Sequence, residues 1–323
     1  MILLKQHTYL VKYWLSSLLI TIILIVLIGG LTRLTDSGLS ITEWEIFSGI
    51  LPPLNSEDWN EAFNLYKKIP QYYLINLNIT LEEFKIIYYW EYFHRLLGRF
   101  IGLLFLIPFC FFLLKRTFNK EYNLKFSSLF FLILLQGFMG WYMVKSGLTE
   151  NTTVSHFRLA IHLNLALILF SSIFWYFLNI VSEKNKPFFN FSIKNNYFKF
   201  FVLLIFLQIT LGAFVSGLDA GQVYQTWPLM NNNFFPDDLN FKNLTFEILF
   251  NEASFVQFLH RNLAYFIFFY SILILIYIFY KKKENLYFPY LLVFLFLSVQ
   301  IFMGITALTS GLNIVYASLH QVS

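Results

Sequence analysis

The sequence predicts an all-α polytopic membrane protein built as two pseudo-symmetric four-helix bundles. Three observations carry this. The chain has 323 residues, 58% hydrophobic and only 13% charged, where a soluble domain is about half apolar and a quarter charged. Seven of its apolar runs approach or exceed the roughly 20 residues that cross a bilayer. The second part of the chain also repeats the first.

Taken in order, the run that follows Lys12 is too long for a signal-peptide core and lacks a small-residue cleavage site, so it predicts a retained span over 13–30. A large loop, 31–88, comes next. Its residues 31–86 hold four basic groups (Arg33, Lys67, Lys68, Lys85) against eight acidic ones (Asp36, Glu43, Glu45, Glu57, Asp58, Glu61, Glu82, Glu83). Further spans are predicted at 92–114, 127–144, 157–181, 199–217, 257–280 and 287–308.

The connections alternate in charge. Residues 115–125 carry Lys115, Arg116, Lys120 and Lys125 against Glu121; 182–199 carry Lys184, Lys186, Lys194 and Lys199 against Glu183; 281–284 read "KKKE". The positive-inside rule puts these loops, and the N-terminus with Lys5 and Lys12, in the cytoplasm. Residues 31–86 and 218–255, the latter with Asp219, Asp237, Asp238, Glu247 and Glu252 against Lys242, are then external. The net charge of +5 is sorted to one side, so no nucleic-acid partner is expected. The single Cys110 can form no internal disulfide, and no CxxCH occurs for covalent haem attachment.

The repeat is read directly. "WEYFHRLLGRFIG" (90–102) aligns with "VQFLHRNLAYFIF" (256–268), and "QGFMGWYMVKSGL" (136–148) with "QIFMGITALTSGL" (300–312). "GGLTRLTDSG" (29–38) aligns more loosely with "GAFVSGLDAG" (212–221), and "RLAIHLN" (158–164) with "VYASLHQ" (315–321). Repeats of like topology imply two bundles related about the membrane normal. We expect an N-terminal half at 1–181 and a C-terminal half at 182–323. By the repeat an eighth span begins near His320, so the last helix is expected to be missing or truncated in this sequence.

Four of the six histidines form repeat-related pairs, His94 with His162 and His260 with His320, each at the external end of a span. A lone intramembrane histidine is explained by an interhelical hydrogen bond. Four at matching positions point to two bis-histidine haem sites, one per bundle. Arg95, Arg99, Arg158 and Arg261 lie within about a turn of them, where they can pair with haem propionates or snorkel to the interface. Gly98, Gly102, Gly137, Gly140 and Gly304 allow close helix approach or room for a flat macrocycle. His7, before the first span, is read as a solvated or interfacial residue; His156, in or beside an external loop and without a repeat counterpart, is left unassigned between a structural and a functional role.

One position breaks the symmetry. Glu91 precedes His94 by three residues, on the same helix face; its counterpart before His260 is Gln257. A carboxylate can take a proton or stabilise a developing cation, whereas an amide can only hydrogen-bond. This assigns chemistry to the first half and a permanent cofactor to the second. Orientation of an imidazole, or pairing with Arg95, is the structural alternative for Glu91.

These residues resemble the haem A synthase family. The likeness runs from the first span to His320 through "GGLTRLTDSGLSITEW" (29–44), "GILPPLN" (49–55), "EEFKIIYYWEYFHRLLGR" (82–99), "VSHFRLAIHL" (154–163), "DAGQVYQTWPLM" (219–230), "FLHRNLAY" (258–265) and "ASLHQ" (317–321). The absence of a loop cysteine pair is similar to the mitochondrial and alphaproteobacterial branch. The resemblance implies an oxidoreductase that converts the C8 methyl of haem O to a formyl group by two successive hydroxylations, giving haem A for cytochrome c oxidase. It implies a non-covalent haem B on His260 and His320 beside Arg261. It also implies a substrate haem between His94 and His162 beside Arg95 and Arg158, with Glu91 catalytic. Haem O synthase and an unidentified electron donor are the implied partners, the bacterial inner membrane is the implied location, and a homo-oligomer is left open. Without the resemblance, the same four histidines suit a di-haem cytochrome b that transfers electrons across the membrane. A transporter fits less well, because the histidines lie near one membrane face rather than at the midplane.

Overall fold

A computed structural model describes residues 7–43, 48–148, 152–188, 196–239, 245 and 249–322. Lys5, Trp44, Glu45, Lys194, Lys242 and Glu247, used above, lie outside these. The chain divides into two compact units, Met1–Asn190 and Phe191–Ser323, against the 181/182 division read from the repeat.

The first unit contains α1 (Thr8–Leu34), α2 (Ser56–Tyr66), α3 (Pro70–Leu74), α4 (Leu81–Leu114), α5 (Lys120–Gly147) and α6 (His156–Val181). Helix α1 packs on α4 and α6, and α5 packs on the same two, so the four long helices close a ring. Its core is aromatic and aliphatic, from Trp14, Leu18 and Ile22 of α1 to Phe105 and Phe109 of α4, Phe126 and Leu129 of α5 and Ile173 of α6. In lipid such contacts hold helices by close packing and by satisfied polar groups.

One polar group shows how this works. Pro108 lies inside α4 and has no N–H, which leaves the carbonyl of Leu104 without its helical donor. The indole Nε1 of Trp14 donates to that carbonyl at 2.8 Å. A backbone acceptor in hydrocarbon must be satisfied internally, and here a neighbouring helix does it.

Helix α4 starts at Leu81, well before the predicted start at residue 92. Thr80 and Glu83 form a reciprocal capping box. The extra turns pack onto the segment between α1 and α4: Phe84 stacks on Phe63 at 5.0 Å, and Trp59 meets Tyr88 edge-on, also at 5.0 Å. Asn55 caps α2 by accepting from Asp58 N at 2.8 Å. Gln71 Nε2 donates to Asp36 O at 3.1 Å, tying this cap segment to the end of α1. The aromatic cluster is why hydropathy alone places the helix start too late.

The second unit contains α7 (Asn196–Gly217), α8 (Ala253–Tyr280), α9 (Tyr287–Thr309) and the nine-residue α10 (Ile314–Val322). Helix α7 packs on α8, α8 on α9, and α9 on α10. Phe201, Leu204, Ile267, Ile274, Ile278 and Tyr290 form its core, and Tyr290 donates its hydroxyl to Ser271 O at 3.1 Å. Local geometry keeps the repeat. Asp36 after α1 and Asp219 after α7 both take φ 50°, the left-handed turn that Asp tolerates better than most residues.

Among the described residues there is no strand, and α1 and α4 to α9 are the seven helices long and apolar enough to cross a membrane. The chain is an all-α polytopic membrane protein.

Candidate haem sites and their polar clamps

In the second unit, His260 of α8 and His320 of α10 face each other. Their ring centroids are 6.4 Å apart and their planes cross at 86°. In the first unit, His94 of α4 and His162 of α6 stand at the matching positions, on the second and fourth of the long helices. The two remaining histidines stand elsewhere. His7 precedes α1 and meets Phe111, near the opposite end of α4 from His94, at 6.0 Å. His156 opens α6, buried, with its ring 4.2 Å from Phe157.

Glu91 is buried to 3% exposure, and so is Gln257. Equal burial excludes solvent access as the reason for the different side chains. Both oxygens of Glu91 are engaged. Oε2 accepts from Ser40 Oγ at 2.8 Å and from Ile41 N at 2.9 Å; Oε1 accepts from Arg95 Nη2 at 2.6 Å and Nε at 3.0 Å. Arg95 also donates to the carbonyls of Ile41 at 2.8 Å and Glu43 at 3.3 Å. This pair, one turn apart on α4, grips the backbone that follows α1.

The second unit repeats the grip with reversed polarity. Gln257 Nε2 donates to Tyr224 O at 2.9 Å. Arg261 donates to Tyr224 O at 2.7 Å and to Thr226 O at 2.8 Å. The first cap segment presents a hydroxyl and an N–H to position 91, which calls for an acceptor. The second presents a carbonyl to position 257, which calls for a donor. The Glu/Gln difference therefore has a local structural cause in addition to any chemical role.

The arginines divide accordingly. Arg95 and Arg261 hold the two cap segments. Arg158 donates to Tyr142 O at 2.8 Å and lies over the Tyr142 ring at 3.8 Å, against α5. Arg99 lines a cavity of about 530 Å³ with Arg95, Tyr88, Tyr92, Asp58 and Leu51 among its walls.

Two observations test whether the histidines suit a haem. The 6.4 Å centroid separation of His260 and His320 is close to that of two imidazoles bound end-on to one metal through bonds of about 2 Å. In the first unit, the His94 and His162 rings each meet one neighbouring backbone, at Ile25 and at Gln136, and each keeps a buried Nδ1 without a well-formed hydrogen bond, a cost that native structures seldom leave uncompensated. Among the described residues, no group of three His, Cys, Asp or Glu side chains could hold a bare metal ion. An imidazole pair whose remaining ligands come from a macrocycle fits these facts.

Sequence reasoning passed over Ser40, Ile41 and Tyr224, which the clamps hold, and Gln136, Gln208 and Gln300, which touch the histidines. Gln136 and Gln300 occupy the first column of an aligned repeat, so a signal was available for those two. Backbone partners such as Ile41 N leave no mark in composition or spacing.

A relative from Pelagibacter ubique (strain HTCC1062), named heme A synthase, is 54% identical over 312 residues, covering 96% of this chain and 91% of the relative. Relatives of the same name from Nitrosospira multiformis (40% over 319 residues, 96% and 88%) and Wolbachia pipientis wMel (41% over 313 residues, 97% and 88%) are similar over comparable spans. The family model described as cytochrome oxidase assembly protein matches residues 12–323, both units and all four paired histidines included, and the chain belongs to that COX15-CtaA family.

Proposed function

We propose that the chain is a haem A synthase, an oxidoreductase that converts the C8 methyl of haem O to a formyl group. The observation that carries this is the full-length similarity to relatives named heme A synthase, up to 54% identical over 96% of the chain. Each of two successive hydroxylations at one carbon adds the oxygen of a water and passes two electrons to an external electron acceptor with release of two protons, giving a hydroxymethyl and then a geminal diol, which loses water to the aldehyde. Haem A then serves cytochrome c oxidase.

In this reading His260 and His320 would hold a non-covalent haem B, with Arg261 beside it. When bound, haem B supplies a one-electron redox centre. His94 and His162 hold the substrate haem, with Arg95 and Arg158 nearby. Glu91 is the catalytic residue. Its two oxygens accept from four donor atoms, two of them on Arg95, which places a carboxylate charge one turn from His94. That charge can stabilise positive character developing at the oxidised carbon, or take a proton from incoming water. The clamp held by Glu91 and Arg95 keeps the cap segment over this end of the bundle and limits water.

The charge sorting of the loops supports a cytoplasmic N-terminus and haem sites near the external face of a bacterial inner membrane. Haem O synthase, which makes the substrate, is the proposed supplier, and the oxidations require an electron partner. Pigment extraction tests the function. Purified protein should carry haem O or its hydroxylated derivative beside haem B. Haem B alone, with no haem A formed on supplying haem O and an electron partner, would point instead to a di-haem electron-transfer cytochrome.

A further inference from the structure

Each paired histidine lies against the bare backbone of one glycine on a neighbouring helix. A Cβ added at Gly29 would fall 2.7 Å from His94 Cε1, at Gly140 3.1 Å from His162 Cε1, at Gly212 3.2 Å from His260 Cε1, and at Gly304 2.7 Å from His320 Cε1. The four contacts join α1 to α4, α5 to α6, α7 to α8 and α9 to α10. Gly102 and Gly137, grouped with these in the sequence, face open space instead.

One turn before three of these glycines stands a glutamine, in "QGFMG" (136–140), "QITLG" (208–212) and "QIFMG" (300–304). Each amide Nε2 donates to the backbone carbonyl of its histidine: Gln136 to His162 at 3.0 Å, Gln208 to His260 at 3.1 Å and Gln300 to His320 at 2.5 Å. Gln208 Nε2 also lies 3.1 Å from His260 Nδ1, and Gln136 Nε2 lies 3.3 Å from His162 Nε2. The fourth stretch reads "IVLIG" (25–29). Ile25 has no amide to offer, so His94 keeps only the contact of its ring with the backbone at Ile25, and no side-chain donor reaches its own backbone carbonyl from this position.

We propose that Q-x-x-x-G is a seat for an axial histidine. The glycine determines where the ring can lie. The glutamine ties the histidine's helix to the helix beneath it. The I-x-x-x-G variant seats His94 without the tie, so His94 is the axial group that yields as haem enters and leaves the first unit. Gly212, Gly304, Gln208 and Gln300 are positioning residues for haem B, and Ile25 sets exchange at the substrate site. The exchange half rests on the proposed function; the seat itself does not.

The test is haem release from the loaded protein to excess apomyoglobin, with both haems separated by chromatography at each time point. Interhelical hydrogen bonds in membranes change equilibria by about 3- to 20-fold. Ile25→Gln should slow haem O release by a factor in that range and leave haem B release unchanged. Gln208→Ile should speed haem B release similarly and leave haem O alone. Gly304→Ala displaces the ring itself, so it should change the low-spin spectrum of the bis-imidazole haem and lower its occupancy more than Gly212→Ala, where the approach is looser. Unchanged release in both glutamine-position variants, or equal and silent spectra in both glycine variants, overturns the seat. If Gly304→Ala does not fold, Gly212→Ala and Gln208→Ile still decide it. If haem O never binds the first unit, the proposed function fails, and the haem B arms judge the seat independently.

Discussion

Glu91 and Arg95 meet at 2.6 Å, one turn apart on α4, and between them bond Ser40, Ile41 and Glu43 of the segment that follows α1. The side chains are 3% and 10% exposed. A carboxylate so placed has two duties: it bolts a segment, and it keeps a negative charge beside a histidine. The variants below separate them.

Glu91→Gln retains an acceptor for Ser40 and Ile41 and removes the charge. Haem B binding should persist. Turnover should fall by about 10²- to 10⁴-fold, the range for losing an acid–base group, with haem O or the alcohol accumulating. Normal haem A content in extracted pigment would remove Glu91 from the chemistry.

Arg95→Leu leaves a buried carboxylate without its cation, a change that costs about 3–5 kcal/mol. Adding Glu91→Gln should recover part of that loss, because the two side chains act as one unit. Thermal melts of the two single variants and the double in one detergent measure the coupling. Strict additivity would show that the contact carries no energy.

Gln257→Glu places a carboxylate against the carbonyl of Tyr224. Two facing acceptors should cost about 1–3 kcal/mol and loosen residues 224–226, read as faster amide exchange there. Exchange equal to that of the parent would mean that the reversed polarity of the two clamps is incidental.

His260→Ala removes one of the two facing imidazoles of the second unit. The bis-histidine haem B spectrum should disappear on titration with haem B. Its persistence would move the cofactor assignment to another pair.

Tyr224 supplies a pH test outside the spans. Burial, and then its hydrogen bonds to Asp237 and Asp238, push its hydroxyl from 10.0 up to about 12. A raised acid favours the neutral, folded form. The contribution is complete below pH 10 and is lost as pH rises from about 10 to about 12. Alkaline titration of the parent should loosen residues 219–239 in that window, and Tyr224→Phe should abolish the dependence.

The sequence by itself determined the seven long helices, the duplication and the four paired histidines. Hydropathy runs and repeated spacing are local properties, written directly in residue order. It also exposed the Glu91/Gln257 contrast. Only the tertiary structure decided what those two side chains hold. Whether a loop offers an N–H or a carbonyl depends on backbone torsions at Ser40–Ile41 and at Tyr224, and these leave no compositional trace. The early start of α4 at Leu81 has the same kind of cause. Phe84, Tyr88 and Trp59 gain their packing partners only when the cap segment folds back on the helix. The histidine seats lie between the two cases. The glutamines and glycines stand in the sequence at a fixed spacing, but that each pair lies beneath an imidazole follows from the packing of one helix on the next.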